Sequence, residues 1–447
     1  MYNDFVVYVS AGGQSTRLYP LTIQFTKAWI DIGNKTPLLL SLRALSSQVP
    51  NLEIFILTQG LTNNIFIPLE LRDGKTIGNG ARVEYVHFFD PRKKYSERTL
   101  TRGSGEGFIN FLERYKEKIG NRDVLAINVD NLANFSLEDM LKYHRDKKSQ
   151  VTIGVTEWNN ESTISQFGTL RFDQTGKVLE FREKSPEPAS NYINTGMVLF
   201  SPTVFDALRG KSLKLSDIGG SIIPYLLNKA SVYAYGAPND KYGEISNWVD
   251  FGTVESYLKT NGDVLLGRYP WFDYSGYVRL GQGILVHRDS IEQVKDAVRE
   301  RRLKLDGFVI IGSNPAFYGE QQTQIENAVI GHNVKLQGAN IKGIENNGDL
   351  FPTVLLDSSG VFDSNITAAV IGYSSNISSN GKRTELEPFS VVGNELNLSS
   401  VYLSSYTRVA SDQDLKKILE ANRYSVVYFG NGLVFFSEIN QRYNPFK

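Results

Sequence analysis

At 447 residues, 41% hydrophobic and 21% charged, the chain is globular in composition and long enough for two to four domains. A disulfide-stapled miniprotein and a disordered chain are both excluded. Lys plus Arg is 48 and Asp plus Glu is 48, so no excess field draws the chain to nucleic acid or to a membrane surface. With no cysteine there are no disulfides, thiolate metal sites, iron–sulfur clusters or thiol nucleophile. The four histidines, His87, His144, His287 and His332, contain no i, i+4 pair, so any metal is expected to be oxygen-ligated. No basic region precedes a long apolar run, and no segment reaches about 18 apolar residues, so a cytoplasmic protein is expected.

In chain order, Phe5 to Val9 reads as a strand that opens into Ala11-Gly12-Gly13. Leu38 to Ser46 has helical spacing, Ile54 to Leu57 is a short apolar strand, and Gly107 to Lys118 is helical. Val124 to Val129 is a strand ending before Asp130, Leu137 to Lys147 a helix, and Val151 to Val155 a strand. Strand and helix in turn imply a parallel sheet covered on both faces, with its ligand crevice at the carboxyl ends of the strands.

The later half differs. Trp271 to Leu305, with a basic helical stretch from Ile291 to Leu303, reads as a linker region. Two aliphatics followed by glycine then recur at Ile310-Ile311-Gly312, Val329-Ile330-Gly331, Val370-Ile371-Gly372 and Val391-Val392-Gly393. The glycine spacings are 19, 41 and 21 residues, the middle one about twice the others. A parallel β-helix of three short strands per coil needs a period near this, with aliphatics pointing inward and small residues at corners. Ile330 to Leu336 fits one such hexapeptide. At the end, Asp412 to Ala421 is helix-like, and two apolar runs, Val426 to Phe429 and Leu433 to Phe436, flank Gly430-Asn431-Gly432 as a hairpin. Such a hairpin would cap the open end of the coils or form a subunit contact.

The strongest chemical signal is the first loop, Ala11-Gly12-Gly13-Gln14-Ser15-Thr16-Arg17-Leu18-Tyr19-Pro20-Leu21-Thr22, with Thr26-Lys27 downstream. A Gly-rich turn after a strand offers backbone N–H groups to phosphate oxygens, and Arg17 and Lys27 add charge. It is not a Walker A loop: Gly74-Lys75-Thr76 has Leu69 where the leading glycine should stand. With Ile56-Leu57-Thr58-Gln59, Gly103-Ser104-Gly105-Glu106-Gly107, Asn128-Val129-Asp130, Phe181-Arg182-Glu183-Lys184, Asn194-Thr195-Gly196, Ile222-Ile223-Pro224, Val232-Tyr233-Ala234-Tyr235 and Trp248 to Tyr257, the series resembles the sugar-1-phosphate nucleotidyltransferase family, nearest to its ADP-glucose-forming branch.

That resemblance covers residues 1 to about 265 and implies an α/β fold: a Rossmann-like mixed or parallel-sheet nucleotidyltransferase domain followed by a left-handed parallel β-helix. The expected order is a catalytic domain over 1–265, a linker region over 266–305, a β-helix over 306–410 and a terminal helix and hairpin over 411–447. The implied reaction transfers a nucleotidyl group from a nucleoside triphosphate to a hexose 1-phosphate, with ATP and glucose 1-phosphate the expected pair, and supplies nucleotide sugar for polymers such as glycogen. By the resemblance, Arg17 and Lys27 are catalytic; Ala11, Gly12, Gly13, Gln14, Ser15, Thr16, Gln59, Gly103 and Ser104 bind nucleotide; Gly168, Glu183, Lys184, Asn194, Thr195 and Gly196 bind sugar phosphate; Asp130 and Asp250 hold Mg2+. No nucleic-acid or membrane partner is implied, and a homo-oligomer or a hetero-oligomer with a related subunit is.

The chain departs from the family pattern at several points. Ser15 stands where glycine is usual, Ala28 and Ser185 where proline is usual, and Gly105-Glu106-Gly107 replaces a small-Asp-small run. Two alternatives follow, a catalytically weak or regulatory nucleotide-sugar-binding subunit and a bifunctional enzyme whose coils carry acyl transfer through His332, the one histidine of the repeat. Because every charged site residue precedes residue 260, the coils are expected to serve assembly or regulation rather than chemistry.

Overall fold

A computed structural model describes residues 4–12, 15–24, 26–59, 67–87, 101–129, 132–237, 242–379, 382–430 and 432–439, with the side chains of 427–430 left aside. The expected site residues Gly13, Gln14 and Asp130 lie outside the described residues, as does Asn431 of the hairpin. No helix among the described residues is long and apolar enough to cross a membrane. The chain divides into two compact units: Met1–Gly13, Thr26–Ala28 and Pro37–Val249 form one, and Gln14–Phe25, Trp29–Thr36 and Asp250–Lys447 the other. Two early segments, 14–25 and 29–36, thus group with the later half.

In the first unit, β1 (Phe5–Ser10), β2 (Glu53–Thr58), β3 (Arg82–His87) and β4 (Asp123–Asn128) are mutually parallel, in the order β4-β1-β2-β3. β1 buries both faces, which is why its sequence is an unbroken apolar run rather than an alternating one. Tyr8 packs against Phe108 and Phe111 of the helix Ser104–Arg114 at 5.3 and 4.8 Å between ring centres. After β5 (Leu132–Asn134), β6 (Val151–Glu157), β7 (Gly168–Phe172), β8 (Val178–Glu183), β9 (Tyr192–Phe200), β10 (Val232–Tyr235) and β11 (Ser246–Val249), the order across the main sheet is β10-β6-β9-β4-β1-β2-β3. β9 runs antiparallel to β4 and β6, so the sheet is mixed. Ser10 stands level with Leu57 on one side and Asn128 on the other, so Ala11, Gln59 and Val129 leave the sheet along the same carboxyl edge. The helix expected from Gly107 begins at Ser104; a Cβ at Gly105 would lie 2.6 Å from Asp217 N and one at Gly107 2.4 Å from Leu57 Cδ2.

In the second unit the repeat becomes three parallel ladders. One runs Thr323–Ile330, Asn340–Lys342, Asn365–Thr367, Glu385–Leu386 and Tyr402–Leu403. A second leaves the same first strand through Thr353–Leu355, Val370–Ile371, Val391–Val392 and Arg408–Ser411. The third joins Ala316–Phe317, Lys335–Gln337, Gly360–Phe362, Asn376–Ser378 and Asn397–Ser399. Three ladders per turn around one aliphatic core that includes Ile311, Ile330, Leu355, Ile371 and Val392 are consistent with a β-helix.

The 41-residue gap is a coil without its glycine: Val329 pairs with Val354 and Val354 with Val370, and the antiparallel excursion Ile344–Asn346 with Asp349–Phe351 lengthens that turn. The stretch expected as a linker is also built in, since Ile284–His287 pairs parallel with Leu303–Ile311 and begins the ladder. The tail strand Leu433–Glu438 pairs antiparallel with Arg408–Ser411 and with Tyr424–Gly430, so the hairpin continues the last coil. His332 Nδ1 accepts from Ser313 N at 2.8 Å and meets its hydroxyl at 2.7 Å, which engages that nitrogen within a coil corner.

Glycines recur because neighbouring coils meet backbone to backbone at one corner. A Cβ on Gly372 would stand 2.5 Å from Gly393 O and 2.6 Å from Asn394 Oδ1. Gly372→Val should therefore destabilise the coils by about 2 kcal/mol or more, as overpacking does; thermal unfolding checks this, and an unchanged midpoint would mean the corner yields.

Candidate functional site

Where the carboxyl edge of the first unit's sheet begins, Ala11 N donates to Leu57 O at 3.2 Å and the chain turns through Gly12. The Gln59 side chain lies directly over Gly12: a Cβ there would be 2.3 Å from Gln59 Nε2. Gln59 is itself fixed by Thr101, donating from Nε2 to the Thr101 hydroxyl at 2.6 Å and accepting from Thr101 N at 3.0 Å. Ala11, Gly12 and Gln59 are thus brought together. Lys27, in the short turn Lys27–Trp29, is buried. Gly103 and Ser104 are placed differently: the Ser104 hydroxyl donates to Asp217 Oδ2 at 2.9 Å and accepts from Ile218 N at 3.0 Å, and a Cβ on Gly103 would meet Ser216 O at 2.5 Å. Both serve the contact between that helix start and the 216–218 segment. Glu106, buried, accepts from Arg102 N at 2.6 Å.

The residues expected to bind sugar phosphate come together at the ends of β7, β8 and β9. Gly168 pairs with Glu183, and Thr169 with Ile193, the residue before Asn194. The Glu183 carboxylate rests on two glycines, since a Cβ at either Gly168 or Gly219 would be 2.6 Å from its Oε2. Burial raises the Glu183 pKa, Lys184 at 3.4 Å pulls it back down, and Asp217 pushes it further up. Lys184 is exposed and holds a left-handed backbone at φ 46°, uncommon for a residue with a side chain.

Asn194-Thr195-Gly196 is a bulge in β9: Ile153 pairs with Val198 but Val155 with Asn194, and Gly196 has φ 82°. Asn194 Oδ1 accepts from Gly196 N at 2.9 Å, and Thr195 donates to Gly154 O at 2.8 Å. The Trp248 indole donates to Thr195 O at 3.0 Å.

The remaining expected residues belong to the second unit. Ser15 has φ 47° and ψ 45°, in the left-handed region, with no capping bond from its side chain; its carbonyl accepts from the Thr22 hydroxyl at 2.8 Å and from Leu18 N at 3.0 Å. Thr16–Leu18 forms a single tight turn from which Arg17 extends. Arg17 Nη2 and Asp250 Oδ2 are 3.6 Å apart, an ion pair rather than a direct hydrogen bond between those two atoms. Gly252 lets them meet, because a Cβ there would lie 2.7 Å from Arg17 Nη2 and 2.8 Å from Asp250 Oδ1. Thr253 then caps the helix Val254–Leu265 through a reciprocal pair with Ser256. Ser15, Thr16, Arg17 and Asp250 thus group in the same compact unit as the coils.

For a metal, Asp250 offers the carboxylate oxygen a hard dication takes, so the donor chemistry fits Mg2+. Among the described residues no group of three or more His, Cys, Asp or Glu is gathered as a metal cluster.

A family model described as nucleotidyl transferase matches residues 8–266, more than half the chain. The chain belongs to the nucleotidyl transferase family. It is 28% identical over 291 residues to a glucose-1-phosphate adenylyltransferase of Clostridium kluyveri, covering 61% of this chain and 71% of that protein. A crystal structure assigned as a glucose-1-phosphate thymidylyltransferase of Bacillus anthracis aligns with TM-score 0.46 and 19% identity, over 57% of this chain and 94% of that one. Every expected site residue of this nucleotidyl transferase falls within the matched span.

Three residues at the site were given no role from the sequence: Asp217, Gly219 and Gly252. Asp217 accepts from both Ser104 and Gly220 N, and an Asp two residues before Gly-Gly is a recognisable cap signal. Gly252 lay within the Trp248 to Tyr257 run that carried the resemblance, but its role shows only once Arg17 is folded against Asp250.

Two predictions follow from this geometry. Ser15→Gly removes a left-handed residue that costs about 1 kcal/mol, so activity should equal or exceed that of the natural chain; a tenfold drop, about 1.4 kcal/mol in the barrier, would mean the hydroxyl touches substrate. Gly252→Ala should separate Arg17 from Asp250 and cut kcat/KM at least tenfold while the fold survives, checked by steady-state kinetics beside circular dichroism.

Proposed function

We propose that this nucleotidyl transferase joins a nucleoside triphosphate to a hexose 1-phosphate, most specifically ATP to glucose 1-phosphate, giving the nucleotide sugar and pyrophosphate. In that reaction a phosphate oxygen of the sugar phosphate attacks the α-phosphorus, a new P–O bond forms, and the bond to the bridging oxygen breaks as pyrophosphate leaves. A sugar phosphate is largely a dianion near neutral pH and needs no general base. The difficulty is bringing two anions together, so the protein's contribution is charge and position.

The observation that carries this reading is the Arg17–Asp250 pair, 3.6 Å apart across Gly252, which joins the Gly-rich loop to the Trp-Val-Asp run. Arg17 and Lys27 would neutralise charge growing on the α-phosphate and the leaving pyrophosphate. Main-chain N–H groups after Ala11, whose own N–H is held by Leu57 O, would cradle phosphate oxygens, and Gln59, lying over Gly12, would border the base. Glu183, its carboxylate resting against Gly168 and Gly219, would accept from sugar hydroxyls, with Lys184 on the sugar phosphate and the Asn194-Thr195-Gly196 bulge beside them. Asp130 and Asp250 would hold Mg2+, which when bound offsets phosphate repulsion. The adenylyl and glucosyl choice is supported by the 28% identical relative and its name.

The test is pyrophosphate release with Mg2+, each common triphosphate and a panel of hexose 1-phosphates. ATP with glucose 1-phosphate should be the best pair, and Asp250→Asn should abolish release in a folded chain. Binding of both substrates without any release would instead make the chain a regulatory subunit, and Asp250→Asn at natural rates would remove the metal assignment.

A further inference from the structure

One arginine of the last coil is spent on the main chain of the signature turn. Arg408 is 4% exposed. Its Nη1 donates to Arg17 O at 2.9 Å, to Tyr19 O at 2.7 Å and to the Tyr424 hydroxyl at 2.8 Å, while Nη2 donates to Glu438 Oε1 at 2.8 Å. Its guanidinium also lies 5.0 Å from the centre of the Tyr424 ring. Tyr424 in turn donates its hydroxyl proton to Thr16 O. All of these residues lie in the second compact unit.

These bonds reach three carbonyls of one short turn. Within it, Leu18 N bonds Ser15 O, Tyr19 N bonds Thr16 O and Leu21 N bonds Leu18 O, and Arg17 O and Tyr19 O accept from Arg408. The same hold continues along the segment: Asn394 Nδ2 donates to Leu21 O at 3.1 Å, and a Cβ on Gly393 would touch Pro20 at 3.1 Å. Tyr19 and Ile23 pack on a small apolar cluster with Ile418, Val434 and Phe436. Apolar packing would suffice to attach the segment, and burying an arginine for attachment alone gains little over a hydrophobe. A planar fork whose Nη1 arm meets two carbonyls and a hydroxyl while its Nη2 arm meets Glu438 is held from both sides, which a lysine's point-like ammonium does less well.

We propose that Arg408 and Tyr424 are positioning residues for nucleotidyl transfer: bonded to the carbonyls of Thr16, Arg17 and Tyr19, they fix the turn from which Arg17 reaches toward Asp250. This rests on the reading of that turn as the phosphate-binding loop. Burial pushes the Tyr424 pKa up to about 12 against the lowering effect of Arg408, so the hydroxyl keeps the proton it gives to Thr16 O. The coils and the terminal hairpin thereby act on chemistry through the placement of a charge.

Two variants of the full chain test this. Tyr424→Phe removes one oxygen and little volume, and Arg408→Lys keeps the charge without the fork. Hydrogen–deuterium exchange of the 15–24 segment and steady-state kinetics with the pair the natural chain uses are both read. Expected for each folded variant is faster exchange in that segment, kcat lower by tenfold or so, and a hexose 1-phosphate KM within twofold. Exchange at the natural rate overturns the proposal, and so does faster exchange with kcat unchanged. A natural chain that releases no pyrophosphate with any pair overturns the transfer reading instead, and exchange alone then decides whether the two residues hold the turn.

Discussion

The site depends on opposite charges being allowed to approach where no side chain stands. Arg17 and Asp250 come within 3.6 Å because position 252 carries only hydrogen. A partly exposed pair of this kind contributes little stability by itself. Its consequence is geometric: it sets a guanidinium and a carboxylate side by side at the loop proposed to bind phosphate, so that in the proposed reaction one can meet an anion and the other a dication.

The same device recurs around the first unit's sheet. Gln59 lies over Gly12, and Glu183 over Gly168 and Gly219, each polar group resting where a methyl group would collide. These glycines are therefore fixed by neighbours rather than by backbone freedom. Gly196 is the contrast, since its φ of 82° turns the bulge that re-aims Asn194. Glu183 is held between opposing influences, burial raising its pKa and Lys184 lowering it.

Much of this was legible before folding. The apolar runs at Phe5, Ile54 and Val124 did mark parallel strands, because strands buried on both faces leave little room for other residues. The aliphatic-glycine repeat marked the coils, and even its doubled spacing was a true count, since one coil between positions 331 and 372 lacks the glycine. Two things were hidden. Glycines inside a helix look like a loop until Asp217 and Leu57 are seen pressed against them. The grouping of 14–25 and 29–36 with the later half rests on bonds spanning hundreds of residues, such as Asn394 to Leu21 O and Asn34 to Ile330 O, which no local pattern encodes.

The account's central claim is reversible transfer of a nucleotidyl group at a loop charged by Arg17. Isotope exchange reads that step directly: with ADP-glucose, Mg2+ and labelled pyrophosphate, the claim predicts label appearing in ATP with the natural chain and its loss in Arg17→Met. Label absent from every triphosphate, whichever nucleotide sugar is supplied, or undiminished exchange without the guanidinium, would contradict it.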